Sequence, residues 1–314
     1  MEIFIQLLVF SVSIFFLVKS ADIFVVNAEK MGKSLGFPSF ITGVLVLSVG
    51  TSLPELATGI AAMLKNSPEI IIGNVLGSNI ANVFLGIGLI SFLAGKNIKF
   101  EQNIFKVHVP IYIIAISATV LTLLDGVIVW GEGLVLMLIG ISYLWFLFEN
   151  QKSSFLQMKG KFQWRYVFWI LVSLAGVIVS SEITIRSTLQ LSSLLGIGTT
   201  VLSASLIAIG TSLPEIVVGL MTIKKKNFDM LIGNILGSNI FNIVLVLGGG
   251  SVLSRFLGVE ILSNAIITTV LIPFAIASAI ILIGSGMDKE ITKQEALSMV
   301  GIYILFLGML FGVI

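Results

Sequence analysis

The sequence predicts an all-α integral membrane protein with ten transmembrane helices, arranged as two inverted five-helix repeats. Three observations support this prediction: the composition, the spacing of apolar segments and the repetition of two motifs. The 314 residues are 57% hydrophobic and 11% charged, whereas a soluble domain carries about a quarter charged residues. A water-soluble fold is therefore excluded. The net charge of +2 is too small to indicate a nucleic-acid partner, and the lack of cysteine excludes disulfides and thiolate metal sites.

Ten apolar segments are long enough to cross a hydrocarbon core of about 30 Å, which requires about 20 residues per helix. Their approximate bounds are 3–26, 38–64, 69–94, 104–124, 127–148, 165–187, 196–223, 228–254, 260–284 and 295–313. The longest polar stretch lies between the fifth and sixth segments. We therefore divide the chain into a first repeat (1–150), a linker (151–164) and a second, inverted repeat (165–314).

Basic residues are distributed unevenly between the two sets of loops. With the N-terminus outside, the inner loops contain Lys30, Lys33, Lys96, Lys99, Lys106, Lys152, Lys159, Lys161, Arg165, Lys224, Lys225, Lys226, Lys289 and Lys293. The outer loops contain only Lys65, Arg186 and Arg255. Because cytoplasmic loops are enriched in Lys and Arg, we expect both termini to be extracellular and the linker to be cytoplasmic, in a multi-pass protein of the cell membrane.

Two sequence blocks occur twice in the chain. GTSLPE is found at 50–55 and 210–215, and GNVLGSNIAN at 73–82 is matched by GNILGSNIFN at 233–242. The offset between the two copies is the same for both blocks, and we call it the repeat offset. Each half contains five spans, an odd number, so the second copy enters the membrane from the opposite side. Inverted repeats with interrupted helices at matching places are typical of secondary transporters, whose site lies at the midplane.

Glu55 and Glu215 end the two GTSLPE blocks in the middle of their spans. A lone carboxylate at that depth costs at least about 2.5 kcal/mol, so it needs a partner or a function. The simplest explanation is an ion pair, but neither Glu has a basic residue within two helical turns along its helix. The natural partner is therefore a mobile cation. Hydroxyl residues share the helix face of each carboxylate: Thr51 and Ser52 beside Glu55, and Thr211 and Ser212 beside Glu215.

The second block places polar side chains at four-residue intervals, so that they form one ridge on a helix. The two ridges are Asn74, Ser78 and Asn82, and Asn234, Ser238 and Asn242. A single Ser or Asn is more simply explained by helix–helix hydrogen bonding, but two matching ridges opposite two matching carboxylates favour a cation site. All these ligands are hard oxygens, which suit Ca²⁺, and two carboxylates balance its charge. The one histidine, His108, is predicted to be an interfacial residue.

At these motifs the chain resembles the sodium/calcium exchangers of the calcium/cation antiporter superfamily, and most closely their compact prokaryotic members. The resemblance implies an antiporter, not an enzyme, in which Na⁺ entry drives Ca²⁺ out by alternating access. It implies no cofactor beyond the transported ions, and the expected partners are Ca²⁺, Na⁺ and the lipid bilayer, with no obligate protein partner.

The resemblance also implies a set of ion ligands. These are Glu55, Thr51, Ser52, Ser78 and Asn82 from the first repeat, Glu215, Thr211, Ser212 and Ser238 from the second, and the backbone carbonyls of Ser48 and Ala208. The chain departs from the family pattern at Asn242, where sodium/calcium exchangers usually have Asp. The site is therefore nearly symmetric, and the coupling ion and any dependence on K⁺ stay open at this point.

Asp22 and Glu182 are also related by the repeat offset, and each has a basic residue within one turn, Lys19 and Arg186. We predict that both are structural charge pairs near the ends of the first and sixth spans, with a gating role as the alternative.

Three other functions are compatible with parts of the sequence. A proton/calcium antiporter would have the same fold, with Glu55 or Glu215 releasing Ca²⁺ on protonation. A passive cation channel would need a continuous pore and has no use for an inverted repeat. An intramembrane enzyme would need a Ser–His, Asp–Asp or His–metal group at membrane depth, and the sequence has none.

Overall fold

The structure is a computed structural model, which describes residues 1–35, 50–95, 97–99, 102–149, 162–225, 228–288 and 290–313. Eleven helices run through these residues: α1 Glu2–Ser34, α2 Leu53–Leu64, α3 Glu69–Leu93, α4 Gln102–Leu123, α5 Trp130–Glu149, α6 Trp164–Leu195, α7 199–211, α8 Leu213–Lys225, α9 228–257, α10 267–288 and α11 Lys293–Leu310. Residues 36–49, which include the first part of the predicted second span, and the linker residues 151–161 lie outside the described residues.

The fold is all-helical and of the membrane type. Within the described residues, eight helical stretches are long and apolar enough to cross a membrane. Two shorter apolar helices, Leu53–Leu64 and His108–Leu123, fall in the predicted second and fourth spans. The all-α membrane class predicted from composition is therefore confirmed.

The helices that carry the GTSLPE blocks are interrupted at matching residues. The backbone leaves α-helical geometry at Ser52 (φ −82°, ψ 3°) and at Ser212 (φ −80°, ψ 0°). Proline follows two residues later in both copies, and because proline has no N–H it cannot continue the hydrogen-bond ladder from the preceding turn. Each proline instead lies in the first turn of a new helix, α2 or α8, where the missing N–H costs nothing.

The central helices α3 and α9 are almost fully buried, and each contains a π-helical segment. These segments are Asn82–Ile87 and Asn242–Leu247, which are again related by the repeat offset. A π-helical turn inside an α-helix frequently marks a functional site. Here each segment starts at the last asparagine of a predicted oxygen ridge.

Helices α1 and α6 pack against each other along their length, at the edge of the molecule. They are longer than the predicted first and sixth spans, since they extend to Ser34 and Leu195. Asp22 and Glu182 therefore lie well inside their helices, and their place near the ends of the membrane spans stays a prediction. The charge pairs themselves are present: Lys19 Nζ lies 3.6 Å from Asp22 Oδ2, and Arg186 Nη2 lies 2.6 Å from Glu182 Oε1.

Four two-residue strands, which the sequence analysis does not predict, join loops that are distant in the chain. β1 (Ile98–Lys99) pairs antiparallel with β4 (Glu290–Ile291), and β2 (Val127–Ile128) pairs antiparallel with β3 (Ile261–Leu262). Because β1 precedes α4 and β2 follows it, the two sheets lie at opposite ends of this helix.

Close approach of α3 to α7 requires a glycine. A Cβ added to Gly77 would lie 2.5 Å from the carbonyl oxygen of Ala204 and 2.6 Å from its Cα. The obstacle is backbone, which cannot rotate away as a side chain can. The contact therefore depends on the absence of a side chain at Gly77.

We expect Gly77→Ala to lower the melting temperature of the purified protein, because overpacking of this kind costs about 1–3 kcal/mol. Thermal unfolding in detergent is the measurement. Gly301→Ala is the control, since a Cβ added there meets no atom within 4 Å in the described structure. Equal melting temperatures for the two variants would show that α3 and α7 are less closely packed than described.

Candidate functional site

The carboxylates of Glu55 and Glu215 are completely buried, with 0% of either residue exposed. None of their four oxygens has a hydrogen-bond partner among the described residues, and no ion pair found there includes either one. Each carboxylate lies in the first turn of its helix, α2 or α8. The positive end of the helix dipole partly compensates a negative charge at that position. The part of each carboxylate's charge that the dipole does not compensate could be neutralised by a bound cation.

Hydroxyl groups from both repeats surround each carboxylate. Ser78 and Thr211 lie beside Glu55. Ser238 and Thr51 lie beside Glu215, with which Glu55 also interacts electrostatically. Each Glu is thus approached by one serine of its own repeat and one threonine of the other. The two halves therefore form a single shared site.

The hydroxyls also contact one another across the repeats. Thr51 Oγ1 lies 3.0 Å from Ser238 Oγ, and Ser78 Oγ lies 3.4 Å from Thr211 Oγ1. Ser52 Oγ donates to the carbonyl of Ser238 at 3.4 Å. These contacting hydroxyls and the two carboxylates occupy one buried region between α2, α3, α7, α8 and α9.

Of the remaining predicted ligands on the helix breaks, Ser212 is buried and its hydroxyl has no partner in the described part of the chain. The carbonyl of Ala208 accepts a hydrogen bond from Ser78 Oγ at 3.4 Å, which places it at the same site. Ser48 lies outside the described residues.

Asn82 and Asn242 are buried, and one hydrogen bond fixes the orientation of each side chain. Asn82 Nδ2 donates to Asn239 Oδ1 at 2.9 Å, and Asn242 Nδ2 donates to Asn79 Oδ1 at 3.2 Å. The side-chain oxygens Oδ1 of both have no partner within the described residues. Each amide therefore leaves one oxygen acceptor unused.

Sequence reasoning missed Asn79 and Asn239. Both belong to the repeated GNxLGSN block, so their repetition was visible in the sequence. The four-residue spacing that selected the ridges places them on a different helix face.

The first ridge residue differs between the repeats. Asn74 Nδ2 donates to Thr58 Oγ1 at 3.0 Å, and its Oδ1 accepts from Thr211 at 3.3 Å. Asn234 has no hydrogen-bond partner for its amide nitrogen or oxygen among the described residues. The residue of the second repeat that corresponds to Thr58 is Val218, which cannot accept the bond.

His108 Nδ1 lies 2.6 Å from the hydroxyl of Tyr143, so this contact links α4 to α5. The interfacial position of His108 stays a prediction.

A cavity of about 520 Å³ lies between α1 and α8, and its lining includes Asp22 and Glu29 of α1 together with Gly50, Thr51 and Pro214. Thr51 is the one predicted ligand among its described lining residues. A second cavity of about 420 Å³ lies between α2 and α6, and its described lining residues include none of the predicted ligands. Neither cavity is lined by Glu55 or Glu215, which have no exposed surface.

The all-helical fold and the buried oxygen site together define a membrane protein that transports ions. A family model described as "Sodium/calcium exchanger protein" matches residues 5–149 and 165–312. The chain therefore belongs to the sodium/calcium exchanger family, a family of antiporters, as its motifs predicted.

Individual relatives agree with this assignment. The sodium/calcium exchanger MaX1 of Methanosarcina acetivorans is 29% identical over 98% of this chain and 99% of its own length. The inner membrane protein YrbG of Escherichia coli is 28% identical over 76% of each protein. A structure of the sodium–calcium exchanger NCX_Mj, soaked with Na⁺ and Ca²⁺, matches with a TM-score of 0.66 and 27% identity, covering 96% of this chain and 97% of that one.

We expect Glu55→Gln and Glu215→Gln each to weaken Ca²⁺ binding at least about a hundredfold, because removing one charge of a buried ion pair costs about 3–5 kcal/mol. Equilibrium binding of ⁴⁵Ca²⁺ to purified protein measures this loss. Glu260→Gln is the control, since its side chain is exposed and it lies next to β3, outside the site. Unchanged binding in either of the first two variants would remove that residue from the ligand set.

Proposed function

We propose that the protein is a secondary active antiporter that exchanges Ca²⁺ for Na⁺ by alternating access at the site between Glu55 and Glu215. The observation that carries this proposal is the pair of fully buried carboxylates, which have no protein cation beside them among the described residues and lie next to hydroxyl groups of both repeats. Ca²⁺ takes six to eight oxygen ligands at about 2.3–2.6 Å, and the site supplies only oxygens. The ligand set we propose is the one predicted from the sequence, including the carbonyl of Ala208.

Charge balance explains how one site serves both ions. The two ionised carboxylates are neutralised by one Ca²⁺ or by two Na⁺, so neither loaded form carries a large net charge into the membrane. An empty site would retain two buried charges, which is costly. Ca²⁺ and Na⁺ therefore compete for the same oxygens, and release of one ion favours entry of the other.

We further propose ten spans in two inverted repeats, 1–150 and 165–314, joined by the 151–164 linker. The matching helix breaks and π-helical segments, all related by the repeat offset, support the repeat. The strand pairs support the alternation of loops, since β1 and β4 belong to two predicted inner loops, while β2 and β3 lie at the outer ends of the predicted fifth and ninth spans. In this topology both termini are extracellular and the linker is cytoplasmic.

The same topology assigns a side of the membrane to each cavity. The cavity lined by Thr51 also borders the second half of α1, which leads to the predicted inner loop with Lys30 and Lys33. We therefore place this cavity on the cytoplasmic side, with Glu55 and Glu215 themselves closed off from it. The cavity between α2 and α6 lies on the extracellular side, where Lys65 Nζ lies 3.1 Å from Glu182 Oε1 and joins α6 to α2.

A proton/calcium antiporter of the same fold is the second candidate. Complete burial of Glu55 and Glu215 favours it, because desolvation disfavours the charged form of a carboxylate. A potassium-dependent exchanger is a third variant of the same mechanism. Only the driving ion distinguishes the three.

We expect proteoliposomes loaded with Na⁺ to accumulate ⁴⁵Ca²⁺ when diluted into Na⁺-free buffer. A K⁺ gradient or a pH gradient alone should drive no uptake, and Glu215→Gln should abolish the Na⁺-driven signal. Uptake driven by a pH gradient in the absence of Na⁺ would identify the proton antiporter instead. If Ca²⁺ entered the vesicles without a gradient of any counter-ion, and no counterflow were observed, the protein would be a channel.

Cysteine labelling tests the topology, because the parent chain contains no cysteine. We expect Glu260→Cys, next to β3, to react with a membrane-impermeant maleimide in intact cells. Lys99→Cys, in β1, is also exposed and is the matched inner position, so it should react only after the cells are permeabilised. The reverse pattern would invert the proposed orientation, and equal labelling of both would contradict the alternation of spans.

A further inference from the structure

Asn79 and Asn239 join the two repeats at the centre of the molecule. Asn79 Nδ2 donates to the main-chain carbonyl of Asn239 at 3.1 Å, and Asn239 Nδ2 donates to the main-chain carbonyl of Asn79 at 3.2 Å. Both residues are completely buried, and they occupy equivalent positions in the two repeats. This reciprocal pair, which we name the asparagine clasp, links α3 directly to α9.

Each member of the clasp also holds one amide of the ion site. With its nitrogen committed to the opposite main chain, Asn239 presents Oδ1, which accepts from Asn82 Nδ2. Asn79 presents Oδ1 in the same way and accepts from Asn242 Nδ2. The bonds cross between repeats in both directions.

The direction of these bonds matters because an asparagine side chain has two different ends. Its oxygen can bind a cation, whereas its NH₂ group is a donor and repels one. If Asn82 flipped, its oxygen would face Asn239 Oδ1, and two acceptors would meet without a proton between them. The clasp thereby determines which end of Asn82 and Asn242 remains free, and the free atom is the oxygen in both cases within the described structure.

We propose that Asn79 and Asn239 are positioning residues, which hold the carboxamides of Asn242 and Asn82 with Oδ1 directed at the bound cation. This inference rests on the proposed cation site. In metal sites generally, residues that hydrogen-bond to the ligands orient them, and loss of such a residue typically lowers metal affinity about 10- to 100-fold. The clasp has this role in the proposed site.

The clasp also accounts for the amide at position 242. An ionised aspartate there has no proton to donate to Asn79 Oδ1, so that half of the network would be lost unless Asn79 turned and gave up its bond to α9. Asparagine at 242 gives both halves of the clasp the same amide-to-amide hydrogen bond. The halves differ in one contact, since Asn239 Nδ2 also lies 3.4 Å from the hydroxyl of Tyr112.

The clasp could act only on helix packing, or it could also position the ligands Asn82 and Asn242. A double-mutant cycle separates these two roles. In Asn239→Ser the shorter side chain no longer reaches Asn82, and its hydroxyl can bond to its own helix backbone. We expect Asn239→Ser and Asn82→Ala each to weaken Ca²⁺ binding about tenfold or more. The double variant should bind no more weakly than Asn82→Ala alone, because Asn239 acts on the ion only through Asn82.

The chain provides its own matched controls. The mirror cycle of Asn79→Ser with Asn242→Ala should show the same lack of additivity, and it replaces the first cycle if Asn239→Ser does not fold. In the crossed combination of Asn239→Ser with Asn242→Ala, the two losses of Ca²⁺ affinity should multiply, since no hydrogen bond joins these two side chains in the described structure. Thermal unfolding without Ca²⁺ records the packing contribution of each variant separately.

If the losses of Ca²⁺ affinity multiplied in either hydrogen-bonded pair, Asn239 with Asn82 or Asn79 with Asn242, the positioning role would be overturned. A Ser variant with a lower melting temperature but parental Ca²⁺ affinity would also overturn it. Parental Ca²⁺ affinity in Asn82→Ala would also overturn it, because no ligand would then need positioning. A parent protein that binds no Ca²⁺ would instead refute the proposed function, so the two failures are distinguishable.

Discussion

The structure depends on two carboxylates that are buried between the central helices, with no protein cation beside them among the described residues. Glu55 and Glu215 have no exposed surface and no hydrogen-bond partner in the described part of the chain, an arrangement that would be strongly unfavourable in a permanent core. The surrounding features offset this cost in part: each carboxylate lies at a helix start, hydroxyls stand beside it, and oxygen acceptors remain unused. In the proposed function, a transported cation relieves the remaining cost.

Neither half of the chain forms this site alone. Each Glu has a threonine of the other repeat beside it, and the asparagine clasp connects the helices on which the ridges lie. By contrast, α1 and α6 pack against each other at the edge, and their hydrophobic cluster also includes residues of the central helices such as Ala62, Ile70 and Leu202. In the proposed alternating-access mechanism, this edge pair moves relative to the central helices. The ion pair between Lys65 and Glu182 is a contact that such a movement would break.

Much of the site was predictable because its chemistry is repeated in the sequence. The two GTSLPE blocks identified Glu55 and Glu215, since an unpaired carboxylate in an apolar span is conspicuous. The asparagine clasp was not predictable, because spacing identifies a helix face but not the donor and acceptor directions across two helices. The ends of α1 and α6 were misjudged because hydropathy falls where charged residues begin, although the helices continue. The short strands left no signal, being only two residues long.

Anomalous diffraction from crystals soaked in Sr²⁺, a heavier analogue of Ca²⁺, tests the shared site most directly. The structure predicts one strong peak between Glu55 and Glu215, at cation–oxygen distances of roughly 2.3–2.6 Å or slightly more, with oxygens of both repeats around it. The peak should disappear in Glu55→Gln. A peak only at Asp22 and Glu29, in the cavity between α1 and α8, with none between the two buried carboxylates, would contradict a cation site shared by Glu55 and Glu215.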